Sequence, residues 1–122
     1  MNLEKKVLYI AVAAAAGLII VIAACLFFVF NRSSDEYTFY YSLTCPHCMI
    51  VEEFMVEDNT EAKINMVKKE VSQSRDNAAD FLTKASQCGY KLEEAGVPLL
   101  FHNGKCFMGD KDIIDYLKEN KK

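Results

Sequence analysis

The chain has 122 residues, 52% of them apolar, with 14 Lys/Arg against 17 Asp/Glu for a net charge of −3. That length allows one small domain and an appendage. From Asn31 onward there are 12 Lys/Arg and 16 Asp/Glu, a net −4 with no basic stripe, so nucleic-acid binding is disfavoured.

The appendage comes first. Val7 to Phe30 is an uncharged run of 24 residues, "VLYIAVAAAAGLIIVIAACLFFVF". As a helix it would reach about 36 Å at 1.5 Å per residue, enough to cross a bilayer core of about 30 Å with some tilt. A buried core helix does not fit, because so small a protein cannot enclose a segment that is apolar all round. A cleaved signal needs a shorter apolar region followed by polar sequence. Ile22-Ala23-Ala24-Cys25 has the form of a lipoprotein cleavage box, but "LFFVF" follows the cysteine where a polar stretch would be expected. The expectation is an uncleaved membrane anchor over 1–30, with its helix at about 7–30. Lys5 and Lys6 before the segment, against Arg32 after it, place the N-terminus in the cytoplasm. The domain would then lie outside the cytoplasm, in a periplasm or at a cell surface. Within the helix, Cys25 reads as an inert small residue facing lipid or another helix.

Residues 31–36, "NRSSDE", form a short polar linker, and a domain over 37–122 follows. "YTFYYSL", residues 37–43, is aromatic and reads as a strand. From Pro46 to about Asp58 the pattern is helical, with Met49, Ile50, Phe54 and Met55 as the apolar set and Glu52, Glu53, Glu57 and Asp58 as a solvated acidic face. Pro46 suits a first helical turn. Residues 62–71, with Ile64, Met66 and Val67, read as a second strand. Ser74 can cap a helix from Arg75 to about Gln87 that buries Ala78, Phe81, Leu82 and Ala85, and Gly89 would end it. "GVPLLFHNGKCFMGD" reads as a β-hairpin turning at Asn103-Gly104, with His102 exposed beside the turn. Asp110 can cap a final helix, Lys111 to Glu119, with Ile113, Ile114 and Leu117 on one face. The order β-α-β-α-β-β-α predicts an α/β domain, parallel in its first half and closed by an antiparallel hairpin.

Three features of this domain resemble the thioredoxin fold in its compact glutaredoxin-like form. They are Cys45-Pro46-His47-Cys48 between the first strand and first helix, Val97-Pro98 opening the third strand, and Asn103-Gly104 followed by Gly109 before the last helix. The resemblance covers about Tyr37 to Lys122. The Pro-His pair between the cysteines is similar to that of the bacterial periplasmic disulfide-bond oxidases, without their large helical insertion. Met108 stands where glutaredoxins have the first glycine of a pair that contacts glutathione, and Lys111 interrupts an acidic pair with Asp112. Glutathione use is therefore left open.

The residues themselves support redox chemistry. Thiol–disulfide exchange needs a thiolate on an accessible sulfur and a second thiol within reach. At a helix start, Cys45 would face unpaired backbone N–H groups and the positive end of the helix dipole, both of which favour the thiolate. Cys48, nearly one turn on, is the resolving thiol. His47, when protonated, adds positive charge, and a stabilised thiolate makes an oxidising disulfide. Otherwise His47 is an exposed spacer. A purely structural Cys45–Cys48 bridge would close too short a loop to stabilise much. Val97 and Pro98 resemble the family's cis-proline segment, which implies a platform for an extended substrate; read alone, Pro98 is an edge-strand proline.

Cys88 and Cys106 read as a second disulfide in an oxidising compartment, or else as two small buried thiols. The expected function is a membrane-anchored oxidoreductase exchanging disulfides with protein thiols, with no small-molecule cofactor and no metal. A membrane redox partner would recycle it, and the resemblance suggests a quinone-linked oxidase. The alternative is a copper or zinc delivery module built on Cys45, Cys48 and His47 with Met49, since soft sulfur ligands suit copper. A closed zinc site would want four ligands, and this motif supplies two thiolates.

Overall fold

The structure is a computed structural model that describes residues 2–30 and 35–120. It divides into two units, Met1–Ser34 and Asp35–Lys122. Residues 31–34, most of the expected linker, lie outside the described residues.

The first unit is one helix, α1, Leu3–Phe30. It is 28 residues long with a mean hydropathy of 2.9 over its most apolar window, and its side chains are exposed throughout. At the α-helical rise it reaches about 42 Å. By length and composition it can cross a membrane.

The second unit holds a four-stranded sheet in the order β2-β1-β3-β4. Strand β1 is Glu36–Tyr41, helix α2 is Pro46–Glu57, the short α3 is Thr60–Lys63, and β2 is Asn65–Glu70. Helix α4, Arg75–Gln87, is followed by β3, Leu99–His102, β4, Lys105–Met108, and α5, Asp110–Asn120. The pair β1 and β2 runs parallel, while β1 with β3 and β3 with β4 run antiparallel.

Alternation along β1 builds two cores, because successive strand side chains point to opposite faces. Tyr37 and Phe39 face one way and pack with Val51 and Met55 of α2, Leu100 of β3, and Ile113 and Leu117 of α5. Tyr40 faces the other way and packs with Phe81 of α4 and Leu99. The central strand is thus covered by helices on both faces, which explains its nearly continuous aromatic run.

Local signals set the boundaries. The Ser74 hydroxyl accepts the Asn77 N–H at 3.3 Å and starts α4. Gly89, at φ +87°, ends it in the left-handed region where glycine carries no Cβ penalty. Asn103 and Gly104 both have positive φ, 49° and 76°, as a two-residue type I′ hairpin turn requires.

Several expectations need correction. The buried face of α2 is Cys48, Val51 and Met55, while Met49 is 61% exposed and Ile50 44%. The i, i+3, i+7 set that faces the sheet begins at the cysteine, and this rotates Met49 and Ile50 outward. On α4, Phe81 and Ala85 are buried, but Ala78 is half-buried and Leu82 is exposed. Residues 60–63 form a helical turn, so the strand read over 62–71 starts only at Asn65. His102 is 4% exposed. Its ring stacks on Tyr37 at 3.6 Å, and its nitrogens meet the Tyr116 hydroxyl at 2.8 Å and the Asp35 carboxylate at 3.2 Å. A histidine beside a polar turn reads as exposed, but alternation in β3 turns this one inward, onto the aromatic core.

Candidate active site

The Cys45–Cys48 pair sits where β1 gives way to α2. Three backbone features hold the entry. The Cys45 N–H donates to Ser42 O at 3.2 Å, and the Met49 N–H donates to Cys45 O at 3.2 Å. Cys45 itself keeps extended backbone, φ −96° and ψ 111°, as an N-cap residue does. Its sulfur plays the capping part and accepts the Cys48 N–H at 3.1 Å. The two cysteines are disulfide-bonded, with Cα atoms 5.2 Å apart.

The two sulfurs are placed differently. Cys48 belongs to the buried face of α2 and is fully inaccessible, while Cys45 is half-buried and Pro46 and His47 are exposed. An incoming group therefore reaches Cys45.

Across from Cys45 lies the 96–98 turn. The Val97–Pro98 peptide is cis, Pro98 is buried, and Cys45 Sγ lies 3.7 Å from Val97 O. The turn is braced from both sides. The Gly96 N–H points at Met108 Sδ at 3.3 Å, and the Gly109 N–H donates to Pro98 O at 3.0 Å. Gly109 has φ +94°, a conformation a side chain would strain.

Two carboxylates complete the neighbourhood, and the sequence reading gave neither a part in the site. Asp110 Oδ2 lies 3.4 Å from His47 Nδ1. The hydrogen bond from His47, aided by the Lys111 N–H, holds the Asp110 carboxyl below the ordinary aspartate range. Asp110 was expected only to cap the last helix; it is instead its first residue. Glu70 ends β2 and gathers the Ser72 hydroxyl and the N–H groups of Gln73, Ser72 and Leu43, which hold its carboxyl low as well. It thereby ties the turn before Cys45 to the neighbouring strand. An acidic residue at a strand end is too common for its partner to be read from sequence.

Cys88 and Cys106 form a second disulfide, with Cα atoms 5.9 Å apart. It joins the C-cap of α4 to β4. Cys25 is a free, exposed cysteine on α1. Among the described residues, no three His, Cys, Asp or Glu side chains are grouped so as to hold a metal ion.

No protein-family model matches the chain, and no curated protein sequence matches it. Solved structures do. A buckwheat glutaredoxin in complex with glutathione is similar over 73% of this chain and 74% of its own, at 19% identity and a TM-score of 0.51. The fold is thioredoxin-like, in the compact glutaredoxin form. Holo glutaredoxin C1 from Populus tremula x tremuloides covers 72% of this chain and 79% of its own, at 19% identity and a TM-score of 0.49. A glutaredoxin from Archaeoglobus fulgidus covers 70% and 89%, at 17% identity and the same TM-score of 0.49. Within the glutaredoxin-like domain, the Cys45–Cys48 pair occupies the first strand-to-helix junction.

Proposed function

We propose that the chain is a membrane-anchored thiol–disulfide oxidoreductase that acts on protein thiols outside the cytoplasm. One observation carries this reading: an accessible cysteine caps a helix, bonded to an inaccessible cysteine one turn on and facing a cis-proline turn.

The chemistry follows from accessibility. A substrate thiolate attacks Cys45 Sγ, forming a mixed disulfide and breaking the Cys45–Cys48 bond. Cys48 leaves as a thiolate and takes up a proton. A second substrate thiol, deprotonated, attacks the substrate sulfur and expels Cys45 as a thiolate. The substrate loses two electrons, and the Cys45–Cys48 pair gains them. The N-terminus of α2 stabilises the departing Cys45 thiolate, which favours this oxidising direction. Val97 and Pro98 form the platform opposite the sulfur, where an extended segment can lie. Pro46 starts the helix, and His47 lies between the two cysteines, its ring on the Asp110 carboxylate.

Recycling the reduced pair requires a partner that accepts two electrons, and α1 supports a partner in the membrane. Lys5 and Lys6 precede α1's apolar run and favour an N-terminus in the cytoplasm. Residues 1–30 then act as anchor and 37–122 as the redox domain. The Cys88–Cys106 bridge acts as a structural clamp, consistent with an oxidising compartment. The Pro-His pair between the cysteines adds to the likeness to disulfide-bond oxidases.

The test uses the full-length chain in mild detergent with a peptide dithiol, followed by differential alkylation and mass spectrometry. The parent should oxidise the peptide stoichiometrically. Cys45→Ser should abolish exchange, and Cys48→Ser, given the peptide in its oxidised disulfide form, should accumulate the mixed disulfide at Cys45, with one peptide thiol released. If Cys45→Ser exchanged as the parent does, the reading would fail. Equally, a parent that exchanged nothing but carried stoichiometric copper or zinc would move the function to metal delivery.

A further inference from the structure

Two helix N-termini point into the site. The one on α2 holds Cys45, and the one on α5 holds Asp110. Between them lies His47, its Nδ1 3.4 Å from the Asp110 carboxylate. The backbone that carries this carboxylate is tied down. Gly109, the residue before it, is bonded through its N–H to Pro98 O, and Asp110 is fixed at the start of α5. The same strut that braces the cis-proline turn therefore aims a negative charge at the histidine between the cysteines.

We propose that Asp110 is a positioning residue of the Cys45–Cys48 centre. Its carboxylate holds the His47 ring and cancels its charge, so the disulfide is a milder oxidant than the helix and histidine alone would make it. This rests on the redox reading above.

The effect is electrostatic. An isolated imidazolium two residues from Cys45 would add a full positive charge near the sulfur. It would favour the thiolate, and with it the reduced pair. A carboxylate in contact with that ring makes the pair neutral, and the field of a neutral pair falls off faster with distance. The other charges on α5 do not replace it. Lys111 is engaged with Asp115 one turn on, and Asp112 adds negative charge on the same helix. The lowered Asp110 carboxyl agrees with this arrangement, since His47 is its largest stabilising partner.

The experiment compares the full-length parent with Asp110→Asn, Asp110→Glu and His47→Ala in detergent. Two quantities are read: the Cys45 thiolate absorbance against pH, and the equilibrium of the pair with a glutathione buffer at pH 6, where an ordinary imidazole is mostly cationic. Differential alkylation separates Cys45 and Cys48 from Cys88 and Cys106. In Asp110→Asn the equilibrium should shift about threefold toward the dithiol, within what exposed charge pairs exert. For a two-electron couple that is about 14 mV toward the oxidising side. The thiolate midpoint should fall by about half a pH unit. His47→Ala should shift both readings the opposite way, and Asp110→Glu should return them to the parent.

A third reading stands even where Asp110→Asn folds poorly. In oxidised His47→Ala, the Asp110 carboxyl followed by carbon NMR should titrate closer to the ordinary aspartate value. An unchanged Asp110 midpoint, or a well-folded Asp110→Asn with the parent's thiolate midpoint and equilibrium, overturns the proposal while leaving the redox reading intact. A parent that does not exchange at all removes the redox reading itself, and the proposal falls with it.

Discussion

Replacing both Cys88 and Cys106 by alanine should cost this domain a large part of its stability while leaving the Cys45–Cys48 chemistry in place. The bridge joins residues separated by 18 positions. In the chain-entropy account, closing such a loop removes about 10.7 cal/mol/K from the unfolded chain, or about 3.2 kcal/mol at 25 °C. The Cys45–Cys48 pair is separated by only 3 positions and by the same account contributes about 1.6 kcal/mol. The two bridges are thus unequal as stabilisers, and the longer one is the clamp. A loss of about 3.2 kcal/mol should lower the melting temperature by roughly 13–25 °C for a domain of this size. The assay is thermal and urea unfolding of the full-length chain in detergent, followed by near-ultraviolet circular dichroism. Tyrosines carry that signal: there is no tryptophan, and five of the six tyrosines lie beyond α1. Hydrogen exchange should localise the weakening to the end of α4 and to β4, the elements the bridge joins. A loss below about 1 kcal/mol, with the bond verified in the parent, would refute the clamp reasoning.

Three further outcomes follow from the core and its polar edge. Leu100→Ala empties a fully buried site between β1, α2 and α5 and should cost roughly 2–5 kcal/mol in urea unfolding. Tyr40→Phe removes the 2.7 Å hydrogen bond to Asp80 and should cost about 1 kcal/mol; an unchanged midpoint would show that Lys69, 2.6 Å from the same carboxylate, satisfies it alone. Burial works against the Asp80 charge, but the hydrogen bonds from Lys69 and Tyr40 prevail and hold its carboxyl below the ordinary range. The stability it supplies is therefore complete above about pH 4 and is lost as pH falls through the folded value, so Asp80→Asn should flatten the acid limb of the stability–pH curve.

The elements visible in the sequence were those with a local cause. Ser74, Gly89 and Asn103-Gly104 each fix a boundary by a capping hydroxyl or by a positive φ, and those boundaries stand where the residues place them. The cysteine motif was equally legible, because a Cys-x-x-Cys before an amphipathic run has few structural settings. What escaped has a tertiary cause. The rotation of α2 is decided by which side of the helix meets the sheet, and a set of apolar residues at adjacent positions does not determine that. His102 is buried because Tyr37, Tyr116 and Asp35, remote in sequence, converge on it. The same holds for Asp110. Its distance from His47 is 63 positions along the chain and 3.4 Å in space, and only the packing of α5 beside α2 relates the two.

The anchor reading of α1 can be weighed by insertion energetics. Between Val7 and Phe30 there are three Leu, four Ile, four Val and three Phe. At about −0.3 to −0.6 kcal/mol each, these favour insertion by roughly 4–8 kcal/mol. One arginine near the helix centre costs about 2.5–3.5 kcal/mol, so Gly17→Arg alone should still insert. Adding Ala14→Arg and Val21→Arg raises the cost to roughly 7.5–10.5 kcal/mol and should leave the chain soluble or aggregated. The measurement is resistance of the membrane fraction to alkaline carbonate, with the N-terminus of the parent sequenced from the same fraction. Retention of residues 1–30 together with this graded loss supports a span. An N-terminus at Cys25 would instead mark lipoprotein processing. The domain would then be held by acyl chains, and the recycling partner proposed above would have to meet it without a helix in the membrane to dock against.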